Sequence, residues 1–120
     1  AYIDGMTISF NTPPLPSPTA PLNVTVTYNF KTTTPPLLQW LPVENASSYE
    51  IKRFVEKGSA VVELNMVDVP GTSFSDTDIK VSASIHPLLQ GSGAKFVIYH
   101  IRAKNAAGTS IWVLSRKFKL

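Results

Sequence analysis

At 120 residues, with 43% hydrophobic and 16% charged residues, ten Pro, six Gly and no Cys, the chain is sized for one packed core with many turns and little helix. That composition excludes a disulfide framework, a thiolate metal site and a disordered chain, and no apolar run approaches the ~18 residues of a membrane span. The net charge of +3 is unevenly placed: no acidic residue follows Asp78, whereas Lys80, Lys95, Arg102, Lys104, Arg116, Lys117 and Lys119 all do. A basic C-terminal third is either a solvated sheet face or an attraction to an anionic partner.

The N-terminus lacks the basic-then-apolar layout of a signal peptide, so the chain is expected to be a mature fragment or made without a secretion signal. Residues 1–19 read as an arm and residues 20–120 as the folded domain. Tyr2 and Ile3 precede an Asp4-Gly5 turn pair, and Met6, Ile8 and Phe10 share one side of a short strand or small hairpin. Pro13, Pro14, Pro16, Pro18 and Pro21 then favour an extended polyproline II tether. From Leu22 a period of two sets in, with Leu22, Val24, Val26 and Tyr28 on the inward side of a half-buried strand.

Further strands are predicted over Leu37–Leu41, Tyr49–Arg53, Val61–Val69, Thr72–Ser75, Phe96–Lys104 and Ile111–Leu120. Pro and Gly stops such as Pro42 and Pro70-Gly71 separate several of them. Seven strands with turn signals between them predict an all-β, antiparallel sandwich. The connection Lys80–Lys95 is long for a compact domain, and its apolar centre, Ile85, Leu88 and Leu89, is expected to pack on something.

The segment Trp40 to Arg53 fits the pattern W-x-x-V-x-x-A-x-x-Y-x-[IV]-x-R at every defined position. It closely resembles the B-to-C region of bacterial-type fibronectin type III domains, part of the Ig-like β-sandwich superfamily. Gly71 to Asp76 resembles the start of that family's strand E, and Tyr99 to Ser110 its strand F and F–G turn. The resemblance implies a seven-stranded sandwich in which Trp40, Tyr49 and Ile51 meet across the core. Tyr99, Ile101 and Ala103 would face inward, and Gly108 would permit the turn. One departure is plain: the family's corner tyrosine, whose hydroxyl pins the E–F connection, is replaced by Val97. With the expanded Lys80–Lys95 segment at the same corner, a rebuilt corner is expected.

No catalytic, cofactor-binding or metal-ligating set assembles from the sequence. His86 and His100 stand outside any metal-ligand spacing, Gly91-Ser92-Gly93 ahead of Lys95 lacks phosphate-loop spacing, and the carboxylates are scattered. The chain is therefore read as a non-enzyme without a cofactor.

Three features remain as candidate partner-binding sites. Lys52, Arg102, Lys104, Lys117 and Lys119 are expected on one outward sheet face beside His100, with Glu50 as a lone counter-charge, facing an anionic glycan or an acidic protein surface. Nucleic acid is not expected, because aromatic interleaving is missing. Trp112 is read either as an exposed platform or as a cover for the sandwich end. The arm, through Tyr2, Ile3, Met6, Ile8 and Phe10, suits β-augmentation of a neighbouring sheet edge. Ile85, Leu88 and Leu89 in the long connection form the third feature.

The reading is a non-catalytic structural or protein-binding module, a subunit of a larger assembly such as a phage or virus particle (a decoration or tail component), anchored through its N-terminal arm. The alternative is an accessory module of a secreted bacterial glycan-processing enzyme or cell-surface adhesin. The expected location is accordingly a virion or the cell surface.

Overall fold

A computed structural model describes residues 14–120, so the strand expected within residues 1–10 lies outside the described residues. Two ten-residue strands, β3 (Ser48–Lys57) and β6 (Phe96–Asn105), pair antiparallel and frame the larger sheet. Their register sets Tyr49 opposite Ala103, Ile51 opposite Ile101, Arg53 opposite Tyr99 and Val55 opposite Val97. All eight of these residues are buried, as the period of two requires once one sheet face is covered. β4 (Ala60–Val69) flanks β3, and three short segments, β7 (Gly108–Thr109), β8 (Val113–Leu114) and β9 (Phe118–Lys119), pair in turn with β6. The second sheet has the order β1 (Thr25–Thr27), β2 (Leu37–Gln39), β5 (Ser73–Ser75).

Between the two sheets lie Val26, Leu38 and Trp40 on one side and the β3 and β6 residues on the other. Trp40 meets Tyr49 edge-on with ring centroids 5.2 Å apart, a geometry that sets the positive ring edge against the negative face. The Tyr49 hydroxyl also accepts the Val43 N–H at 2.8 Å, which fixes the turn between β2 and β3.

Three local departures have physical causes. The first strand begins at Thr25 rather than Leu22, and Leu22 is exposed, because Asn23 adopts a left-handed φ of 55° that breaks the pleat. In β4 the pairings Ile51 with Val67 and Arg53 with Leu64 place two residues, Asn65 and Met66, opposite one, Lys52. This bulge shifts the inward set from Val62 and Leu64 to Val67 and Val69 and leaves Met66 exposed. The last predicted strand, Ile111–Leu120, is divided by Ser115 into β8 and β9, and Ser110 stands just ahead of it. Each serine N–H donates to a β6 carbonyl, of Ala103 and Tyr99 respectively, while its hydroxyl accepts the N–H of that same β6 residue. Side chains thus complete the ladder where the backbone bulges away.

The connection from β5 to β6 is not a bare loop. It forms a helix, α1 (Ile79–Ile85), and a 3-10 turn, Pro87–Leu89, that bury Ile79, Ala83 and Leu89 on the end of the core. Arg53 anchors it from inside the sandwich. Its Nη1 reaches Asp76 Oδ1 at 2.9 Å and Asp78 Oδ1 at 2.7 Å, and its Nε donates to the Asn65 carbonyl at the β4 bulge. The Tyr99 hydroxyl donates to the other Asp76 oxygen at 2.8 Å. Where Val97 withdraws the family's corner hydroxyl, a tyrosine two residues along therefore ties the corner through a carboxylate.

Burial alone would lower the Arg53 pKa, but the two carboxylates outweigh it and hold the guanidinium charged. Burial and the Asp76 charge push the Tyr99 phenol up, so it stays a donor. Burial, reinforced by neighbouring Asp78, raises the Asp76 carboxyl to about 6 against the pull of Tyr99 and Arg53.

Replacing Ser115 by Ala leaves the buried Tyr99 N–H without its acceptor and is expected to cost about 1–3 kcal/mol in urea unfolding. Replacing Asp76 by Asn tests the raised carboxyl. A folded pKa above the unfolded one gives a contribution fully present below about 3.8 and lost as pH rises through about 6. The stability advantage of the parent over Asp76→Asn should therefore shrink from pH 4 to pH 7. His100, whose pKa is lowered by burial and Lys52, acts in the opposite sense but is common to both proteins and cancels in the difference. A pH-independent difference would show that Asp76 has no raised pKa.

Candidate functional site

The outward face of β3 and β6 assembles most of the basic residues that the sequence singled out, but not as a free positive patch. Arg102 forks onto Glu50, with Nη2 at 2.7 Å and Nε at 2.8 Å from Oε1. Lys104 bonds Asp68 at 2.7 Å and Glu50 at 3.4 Å, and the Asp68 contact holds its pKa above the usual value. Lys117 bonds Glu56 at 2.8 Å. Glu50 is thus not the lone counter-charge: register brings Asp68 opposite it from β4, and Glu56 faces the same way along β3. On this face four cations, Lys52, Arg102, Lys104 and Lys117, stand with four carboxylates, Glu50, Glu56, Glu63 and Asp68, and three of the cations are ion-paired.

Trp112 is half-buried under two of those cations. The Arg102 guanidinium carbon lies 4.2 Å and Lys52 Nζ 4.8 Å from its ring centroid, within range of cation–π attraction. With Arg102 also forked onto Glu50, the Trp112 ring is a covered platform held in one place. Phe54 and His100 pack against each other on the same face, their rings tilted by 43° with centroids 4.5 Å apart. Lys119 stands apart from this group, its Nζ 5.5 Å from the Phe30 ring centroid.

The residues of the β5–β6 connection divide. Ile85 and Leu88 are exposed at 67% and 61% and remain available to a partner. Leu89 does not: it is fully buried, because the 3-10 turn aims it into the core beside α1. Tyr2, Ile3, Met6, Ile8 and Phe10 lie outside the described residues.

Asn105 is the residue that sequence reasoning passed over. Its amide nitrogen donates to the carbonyls of Pro16 and Asn45, both at 2.9 Å, and its oxygen accepts the N–H groups of Ala107 at 2.8 Å and Gly108 at 3.2 Å. One buried side chain joins the tether, the β2–β3 turn and the β6–β7 turn. Gly108, at φ 153°, completes the clamp: a Cβ there would stand 2.9 Å from Ser17 Oγ. Pro18 and Pro21 are buried behind it. The N-A-A-G spelling showed a turn, but nothing in it showed that the Asn reaches Pro16. Among the described residues, no three His, Asp or Glu side chains converge where a metal ion could be held.

No family model matches the sequence, and no curated protein does. Solved structures do match. The protein titled FN3tt aligns at TM-score 0.56 and 18% identity over 85% of this chain and 92% of that one, and its mutant aligns at 0.57 and 18% over 84% and 93%. A Fn3-like protein from Clostridium thermocellum aligns at 0.54 and 17% over 88% and 93%. Identities this low speak to fold alone, and they agree with the strand order, the paired aromatic core and the two stacked sheets: the chain has a fibronectin type III fold.

Proposed function

We propose that this chain is a non-catalytic protein-binding module that serves as a subunit of a larger assembly, such as a decoration or tail component of a phage or virus particle, anchored through residues 1–10. The fold fits a binding or structural domain, and the same scaffold hosts many roles, so the role rests on features added to it. The observation that carries the reading is the clamped tether. Asn105 holds the Pro16 carbonyl, and Pro18 and Pro21 are buried, so from Pro16 onward the tether is fixed to the sandwich and can transmit a hold on the arm to it. An alternating apolar segment ahead of a proline tether suits strand addition to a neighbour's sheet edge, where main-chain bonds supply affinity. The rival reading, an accessory module of a secreted bacterial glycan-processing enzyme or a cell-surface adhesin, treats the same prolines as an interdomain linker.

Tagged protein in its native host is expected to co-sediment with a large particle, while a variant lacking residues 1–13 stays with the small soluble fraction. Equal sedimentation of the two would remove the arm as anchor. Detection of the sequence only within a much larger polypeptide on an immunoblot would favour the enzyme-module reading. In the purified protein, Asn105→Asp keeps the turn acceptors but turns a carboxylate toward two carbonyls. It is expected to lose about 2 kcal/mol of stability and to open residues 14–21 to limited proteolysis.

A further inference from the structure

At the end of β6 away from Asn105 the sandwich opens into a cleft of about 560 Å³, within the usual range of small-molecule sites. Tyr28 and Phe30 line it from the connection that leaves β1, Lys80 from α1, Lys95 from the approach to β6, and Lys119 and Leu120 from the end of β9. Three ammonium groups border it, and no carboxylate side chain does. Even with a main-chain carboxylate counted at Leu120, cations outnumber anions three to one. Among the described residues none of these lysines has an ion-pair partner, in contrast to the neutralised sheet face.

The cations are held rather than loose. Lys80 Nζ sits 5.5 Å from the Tyr28 ring centroid and 3.3 Å from the Thr32 carbonyl, and Lys119 Nζ sits 5.5 Å from the Phe30 centroid. The Leu120 N–H donates to the Lys95 carbonyl at 2.9 Å and fixes that rim. Phe30 remains 52% exposed even so. The Tyr28 hydroxyl is buried, so this residue offers the cleft its ring rather than its oxygen. Point charges set around aromatic surface suit a ligand with an acid group on a compact ring. They do not suit an extended nucleic-acid strand, which needs successive stacking platforms along a basic track.

We infer that this cleft binds an acidic saccharide: a sugar ring carrying a carboxylate or a sulfate, packed against Phe30 and Tyr28 with its acid group among Lys80, Lys95 and Lys119. The inference is independent of the arm and of any assembly it joins.

The test uses the full chain, isotope-labelled and titrated at low ionic strength with trigalacturonate, a sulfated disaccharide, neutral maltotriose and inorganic sulfate. Amide shifts are expected at residues 28–30, 80, 93–95 and 119–120 with one or both acidic sugars. The combined Lys80→Gln, Lys95→Gln and Lys119→Gln variant should weaken binding about tenfold or more. The milder Lys119→Gln alone should give a smaller loss in the same direction. A control carrying Lys52→Gln and Lys104→Gln should bind as the parent does, and added salt should weaken binding. A response to trigalacturonate alone identifies the carboxylate as the recognised group, and a response to the sulfated sugar alone identifies the sulfate. The inference is overturned by no acidic sugar binding at millimolar concentration, by equal binding of maltotriose or inorganic sulfate, by an unaffected triple variant, or by tighter binding of a short single-stranded oligonucleotide.

Discussion

Taking a guanidinium out of water costs several kcal/mol unless its donors are met, and Arg53 sits almost wholly inside this sandwich. Everything at the rebuilt corner is arranged around that requirement. Asp76 and Asp78 follow β5 directly, so satisfying Arg53 fixes where the chain leaves the second sheet. The Asn65 carbonyl, at the β4 bulge, accepts the hydrogen bond from Nε–H. Tyr99 supplies the remaining donor to Asp76 from the neighbouring strand. Four segments distant in sequence thus share one polar cluster, and a different register of any of them would leave a charge unmatched.

With the corner fixed, the helix lies with one side against the core. Ile79 follows Asp78 and faces the core, Ala83 falls one turn later on the same side, and Leu89 closes the 3-10 turn against them. Lys80, the next residue along from Ile79, is consequently carried to the rim near Tyr28. The buried ion cluster therefore reaches the lysine-bordered cleft through a single turn of helix.

Most of the sandwich was legible in the sequence because its signals were local. The alternation in β3 and β6, the Trp40 to Arg53 pattern and the Pro and Gly stops each depend on near neighbours, and all find their place in the structure. What escaped depended on distant partners or single backbone angles. Nothing in L-N-V-T predicts that Asn23 turns left-handed and strands Leu22 in solvent. Leu89 reads like Ile85 and Leu88 until the helix phase separates them. The two roles of Asn105, turn former and clamp on Pro16, are 89 residues apart in the chain. The basic C-terminal third was visible as composition, yet composition cannot say which cations lie beside carboxylates.

That division follows from strand register. The acids of β3 and β4 point out along the sheet, so they reach the cations on strands alongside, Arg102 and Lys104 on β6 and Lys117 before β9. Lys80 in α1, Lys95 just ahead of β6 and Lys119 at the end of β9 gather at one end of the sandwich, where no carboxylate side chain borders the cleft they line. The asymmetry of the sequence is thereby concentrated at one end of the molecule, while the clamped tether occupies the other. Ten residues of β6 separate them, about 30 Å at the usual rise of a strand. At that distance, several Debye lengths at physiological salt, the three lysines of the cleft and the Asn105 clamp on Pro16 act without electrostatic influence on each other.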